Sequence, residues 1–214
     1  MSAAVNLEQQ LSQGLIGLGL ELPAATQHRL LHFIELLAKW NKAYNLTAIR
    51  DPAEMVSKHL LDSLAILPYL VEGSVIDVGT GPGLPGIPLS LVRPNQAFTL
   101  LDSNSKKTRF VTQAVMELGI PNVTVVQSRA EAYMPAHPYD VVIARAFAAI
   151  GELLHWVRHL CAPGARIIAM KGQYPEGEME GWPAGFSCES VEKITIPGLQ
   201  AERHVVLIRY ENDQ

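Results

Sequence analysis

Val75-Ile76-Asp77-Val78-Gly79-Thr80-Gly81-Pro82-Gly83-Leu84-Pro85-Gly86 is the most informative run in this chain. Residues 75–78 read as a short buried strand. The next eight positions, 79–86, hold four glycines and read as a tight loop that opens a helix. Glycine permits such a turn and lets a ligand approach the backbone without meeting a Cβ atom. In open α/β sheets, ligands bind beyond the carboxyl ends of the strands, which is where a loop in this position lies.

Downstream of the loop, short apolar runs alternate with helical stretches. Strands are expected at 97–101, 123–126, 140–144 and 165–170, separated by helices at 84–92, 105–118 and 150–160. That alternation requires a mostly parallel sheet with helices on both faces. The last two strands, 188–196 and 203–210, have no room for a helix between them and should be antiparallel. Upstream, Leu30, Phe33, Ile34, Leu37, Trp40 and Tyr44 form one helical stripe, with Thr26 as N-cap and a turn at 45–47. A third helix starts near Pro52 and runs toward Pro68. The fold class is therefore α/β, a mostly parallel seven-stranded sheet with a final antiparallel strand pair and an N-terminal helical cap. No linker separates the cap (1–70) from the core (71–214), so one domain over 1–214 is expected.

Composition agrees. The 214 residues carry a net charge of −4 and are 48% apolar, enough for a large core. Two distant cysteines, Cys161 and Cys188, suit neither a disulfide scaffold nor a metal site, so no metal is expected and a cytoplasmic setting is. No signal peptide or long apolar run suggests a membrane. Mild acidity argues against indiscriminate nucleic-acid binding but permits a local basic face.

Gly81-x-Gly83-x-x-Gly86 matches the dinucleotide fingerprint, but Asp77 ahead of the loop and Pro82 and Pro85 within it do not suit a pyrophosphate. Asp-x-Gly-x-Gly-x-Gly instead resembles the first motif of S-adenosylmethionine-dependent methyltransferases. Asp102, at the end of the second strand, is placed to accept ribose hydroxyls, as in any nucleoside site. Ala130 and Glu131 follow the third strand and would meet an adenine edge; Glu131 reads equally as a solvated helix-start residue. After the fourth strand stands Ala144-Arg145-Ala146-Phe147. It lacks the Pro-Pro-aromatic signature of amino-group methylation and the cysteine needed for attack by a ring carbon. Arg145 suggests an anionic or electron-rich acceptor, or else an ion pair with Asp140 or a nearby carboxylate. A nucleophile such as guanine N7, which loses no proton, would require no general base. Lys171, Arg203 and His204 follow or open strands at the same edge and are candidate substrate contacts. Lys39, Lys42, Arg50 and Lys58 make the cap basic. Each of these cations alone reads as a solvated charge.

The run 75–89 also resembles the signature of the bacterial 16S ribosomal RNA guanine-N7 methyltransferase G family, known too as glucose-inhibited division protein B. The likeness extends through Asn45-Leu46-Thr47-Ala48-Ile49, Lys58-His59-Leu60-Leu61-Asp62-Ser63-Leu64, Gln127-Ser128-Arg129, Arg145-Ala146-Phe147, Lys171-Gly172-Gln173 and Glu202-Arg203-His204. It implies a Rossmann-like class I methyltransferase that moves a methyl from S-adenosylmethionine to N7 of one guanine of 16S rRNA in the small ribosomal subunit, without a protein partner. It implies cofactor contacts at Gly79, Leu84, Ala130, Glu131 and Arg145; Gly81 and Asp102 come from the residue reading. Ala144 departs from the serine frequent among relatives. Alternative readings are a small-molecule methyltransferase with an apolar lid, a ribosome-binding module without chemistry, and a nicotinamide dehydrogenase.

Overall fold

The structure, a computed structural model, describes residues 2–145 and 149–211. Its strands are β1 Val75–Val78, β2 Phe98–Asp102, β3 Val123–Gln127, β4 Tyr139–Arg145, β5 Cys161–Lys171, β6 Phe186–Ile194 and β7 Arg203–Tyr210. They form one seven-stranded sheet in the order β3-β2-β1-β4-β5-β7-β6. The first five are mutually parallel. β7 runs antiparallel to both β5 and β6, so it is the reversed strand and β6 forms the edge. The segment joining β6 to β7 is too short for a crossover, which leaves an antiparallel return.

β1 and β2 are buried along their whole length, as strands covered on both faces must be. Side-chain alternation divides the core in two. Val75, Leu100, Ile143, Ile168 and Val205 face the N-terminal helices together with α5 (Gly86–Val92) and α6 (Ser105–Glu117). Ile76, Leu101, Val142, Ile167 and Val206 face α7 (Ile150–Val157). The first of these cores is continuous from Leu11 and Leu15 in α1 (Ser2–Gly17) through Phe33, Ile34 and Leu37 in α2 (Ala24–Tyr44) to the sheet.

Several boundaries differ from expectation. Thr26 lies inside α2, whose N-cap position is Pro23. Ala24 and Ala25 are strong helix formers and carry the helix back to the proline, whose missing N–H costs nothing there. The turn at 45–47 stands where expected, with Asn45 left-handed at φ 50°. Pro52 opens α3 (Pro52–Met55), with Asp51 accepting from the Ala53 N–H at 3.0 Å. The helix then widens into a π-helical segment, Val56–Leu61, before α4 (Asp62–Leu64). It stops short of Pro68, where a 3-10 turn takes over. The expected helix 150–160 tightens after Val157 into a 3-10 turn, and β5 begins four residues earlier than expected, at Cys161.

Candidate active site

The glycine loop leaves β1 between β2 and β4, the point where strand order changes direction and where open α/β sheets bind ligands. Two carboxylates hold it. Asp77 is fully buried; its Oδ2 accepts from the Thr80 hydroxyl at 2.6 Å and from the Gly86 N–H at 2.8 Å. Burial raises its pKa to about 6, against the opposing pull of those bonds and of Arg145. Asp102 braces the other side, its Oδ2 accepting from the Gly81 N–H and its Oδ1 from the Asn104 N–H, both at 2.8 Å.

Two glycines matter for opposite reasons. Gly86 has no room for a side chain, because a Cβ would collide with Leu100 and the Asp77 carboxylate; its absence lets α5 lie directly on the sheet. Gly81 has φ 59°, and among the described residues a Cβ there would meet nothing closer than 4.0 Å, at the Gly79 carbonyl and the Lys107 ammonium. Gly81 therefore keeps open a space that the described residues do not fill.

That space belongs to a pair of cavities that share Gly79 as a wall. The smaller, about 340 Å³, is lined by Leu101, Asp102, Ser128, Ala130, Glu131 and Trp156. The larger, about 520 Å³, is lined by Gly81, Leu84, Asp62, Arg145, Lys171 and Arg203, with Lys58 and His59 from the cap. Of the residues expected from sequence, Gly79, Gly81, Leu84, Arg145, Lys171 and Arg203 meet around the larger space. Asp102, Ala130 and Glu131 meet around the smaller one. Ala146 and Phe147 lie outside the described residues.

His204 is a correction. It is 5% exposed and lines neither cavity, its ring instead standing edge-on to Tyr174 at 5.7 Å. Alternation along β7 explains this: Arg203 points to the cap face, so its neighbour points to the other. Lys171, directly opposite His204 in the register, reaches the cavity rim with its ammonium 2.6 Å from Glu178, which also accepts the Ile150 N–H at 2.7 Å.

Arg145 is ion-paired, but not with Asp140. That carboxylate sits at the far end of β4 and accepts from the Ser74 N–H and hydroxyl at 2.7 and 2.9 Å. The partner is Asp62 of the cap, 2% exposed and placed between two guanidiniums, Arg145 at 3.3 Å and Arg203 at 2.7 Å. Three distant stretches of chain thus converge on one carboxylate.

His59 lies beside this cluster. Its Nδ1 contacts the Lys58 carbonyl at 3.1 Å, which can only accept, so Nδ1 carries the proton. Nε2 then accepts from the Thr47 hydroxyl at 3.0 Å. Burial and then the Arg145 charge lower its pKa to about 4, so the ring is neutral at neutral pH. In the sequence, His59 and Asp62 stand out only as members of one family-like run, and no pattern singles out Trp156. The one available signal was the spacing of His59 and Asp62, three residues apart on a helix that also carries Leu60, Leu61 and Leu64. The π-helical turn that carries His59 to the cavity is a distortion found often at functional sites.

Known proteins resemble this chain over most of its length. The sequence model of the family described as GidB, rRNA small subunit methyltransferase G, matches residues 26–206. A Ribosomal RNA small subunit methyltransferase G from Alteromonas mediterranea is 49% identical over 209 residues, covering 98% of this chain and 99% of that protein. Its counterpart from Salmonella arizonae is 50% identical over 200 residues, covering 94% and 97%. Among solved structures, M. jannaschii TYW2 in complex with AdoMet shares the fold, with TM-score 0.54, 14% identity and coverage of 66% of this chain and 70% of that one. A glycine loop at the switch point of a class I methyltransferase fold and near-complete matches of this kind lead to one conclusion: the chain belongs to the rRNA small subunit methyltransferase G family and is a methyltransferase.

Proposed function

We propose that this protein transfers a methyl group from S-adenosylmethionine to N7 of one guanine in the 16S rRNA of the small ribosomal subunit, and that it does so in the cytoplasm as a single domain. The observation that carries the reading is the pair of cavities joined at Gly79, one suited to a nucleoside and one walled by cations. The donor fits the residues present. Asp102 keeps lone pairs for ribose hydroxyls beside the two N–H groups it already accepts. Ala130 and Glu131 offer backbone to an adenine edge, and Trp156 offers an apolar wall. Gly79 and Gly81 present bare backbone to the amino-acid end, with Leu84 and Arg145 nearby. When bound, S-adenosylmethionine supplies an electrophilic methyl on a sulfonium.

The residues of the larger cavity orient and neutralise; none has to move a proton. Guanine N7 attacks with a free lone pair, so no base is called for. His59 already spends its acceptor nitrogen on Thr47, and each oxygen of Asp62 is already engaged by an arginine. Arg145 and Arg203 are held in place before substrate arrives, offering donors to base or phosphate oxygens at no further cost in ordering. Lys171 at the rim is a further anion contact. A small-molecule acceptor fits less well, because the mouth is lined by charge where an apolar lid would be needed.

The test is transfer of labelled methyl to small subunits lacking the modification, with naked 16S RNA in parallel and the product mapped by cleavage at N7-methylguanine. Label at a single guanine is expected. Label on another atom or on no RNA, with donor binding intact, would overturn the acceptor.

A further inference from the structure

Beside the active cleft lies a second groove, about 590 Å³, between α2 and the segment 45–52. Lys39, Lys42 and Arg50 line it, all exposed, together with Asn41, Pro52 and one carboxylate, Glu35. The charge balance here is unlike that of the whole chain, which is net −4. Asp51 is committed to capping the Ala53 N–H at 3.0 Å, and Glu54 is paired with Lys58 at 3.0 Å. Among the described residues, neither Lys39 nor Lys42 has a carboxylate within ion-pair distance, and Arg50 has only the Asn45 side-chain oxygen, at 3.3 Å.

The cations stand on a rigid frame. Asn41, 3% exposed, donates to the Ile49 carbonyl at 3.1 Å and accepts from the Thr47 N–H at 2.9 Å, fastening the returning segment to α2. The left-handed Asn45 turns the chain back along the helix. Lys39 and Lys42 are three residues apart on α2 and so share a face. Consecutive residues link the two spaces along the chain: Ile49 lines the cleft and Arg50 the groove. A small acceptor would occupy the cleft alone. A polynucleotide with one base in the cleft must continue past its rim.

We propose that this groove is a docking site for the phosphate backbone of the RNA strand flanking the target nucleotide, with Lys39, Lys42 and Arg50 each neutralising a phosphate. The proposal rests on the RNA-substrate reading above. Single-stranded phosphate contacts each contribute about 0.7 to the slope of log affinity against log salt, so three contribute about 2.

The test uses the Lys39→Ser/Lys42→Ser/Arg50→Ser variant of the full chain, assayed on unmodified small subunits and on naked 16S RNA over a range of KCl. Near 0.1 M salt, binding and KM should weaken about 10- to 100-fold, with a salt slope shallower by about 2, on both substrates. Turnover at saturating RNA and S-adenosylmethionine affinity should hold. The charge-conserving variant Lys39→Arg/Lys42→Arg/Arg50→Lys should keep wild-type binding, and Arg93→Ser, at the end of α5 away from the glycine loop, should change nothing. An unchanged KM and salt slope, while wild type methylates subunits, would overturn the groove alone. A loss confined to subunits, with naked RNA unaffected, would replace RNA by a ribosomal protein as occupant and overturn it too. No methylation of either RNA by wild type would instead overturn the substrate reading.

Discussion

Three side chains show how single residues set up the cleft. Gly81 works by absence: a branched side chain there meets strain at φ 59° and projects into the cavity rather than into protein. Gly81→Val should abolish S-adenosylmethionine binding, measured by calorimetry, while lowering the melting temperature only slightly; retained affinity would show that the loop does not face the donor. Asp102 has two duties, bracing the loop and facing the smaller cavity. Asp102→Ala should weaken donor binding by about 1–3 kcal/mol, typical of a lost bond to a charged group, and should also cost stability through the stranded Gly81 N–H. Asp102→Asn keeps one acceptor oxygen and should fall between the two. Asp62 is the third. Asp62→Asn leaves two guanidiniums without their shared anion, and breaking fully buried pairs costs about 3–5 kcal/mol. Side chains here keep 20% and 25% exposure, so the loss should be smaller. Turnover should fall more than donor affinity, and equal loss of both would assign Asp62 a purely structural role.

At the level of elements, the helix running from 52 to 64 and the β1 loop carry opposite pH responses. His59 has a lowered pKa, so its neutral ring contributes stability above its usual 6.5 that is lost as pH falls toward about 4. Asp77 has a raised pKa, so its contribution is fully present below 3.8 and is lost as pH rises through about 6. Each pK unit is worth about 1.4 kcal/mol, and the two shifts are of similar size, so they largely cancel between pH 4 and 6 in the intact protein. Single variants should unmask them. Relative to wild type, His59→Gln should gain stability as pH falls through that window, and Asp77→Asn should lose it. Parallel melting curves for the two variants would contradict this assignment. The π-helical turn that brings His59 to the cavity was invisible in the sequence, because its apolar spacing is compatible with an ordinary α-helix. The strands were legible for the opposite reason. Short runs such as Val-Ile-Asp-Val, buried on both faces, have no other economical conformation between turn signals.

Considered whole, the molecule packs its cap and its sheet on one continuous core, in which Leu37 and Phe33 of α2 meet the same cluster as Phe110 and Leu100. Cap and core should therefore unfold together. Calorimetry should give one transition whose van't Hoff and calorimetric enthalpies agree. Leu37→Ala should lower stability by about 2–5 kcal/mol without splitting it. Two transitions would make the cap a separate unit. The same docking brings Asp62 to Arg145 and Arg203, so separating cap from sheet would dismantle the cleft.

What the chain order determined by itself was the alternation of strand and helix, the glycine loop, and the strand-end positions of Asp102, Arg145, Lys171 and Arg203. These are local properties: a period of two or of 3.6, a run of glycines, a residue one step past a strand. Tertiary structure decided which of those residues share a face and which partners they take. His204 and Arg203 are adjacent in sequence yet separate at the sheet, because a strand sends consecutive side chains to opposite sides. Asp62 and Arg145, 83 residues apart, form an ion pair because the apolar stripe of the cap docks on the sheet. No local pattern encodes such a pairing. It follows from burying the helical face and the sheet face together, and only the folded chain shows which charges that burial brings within reach.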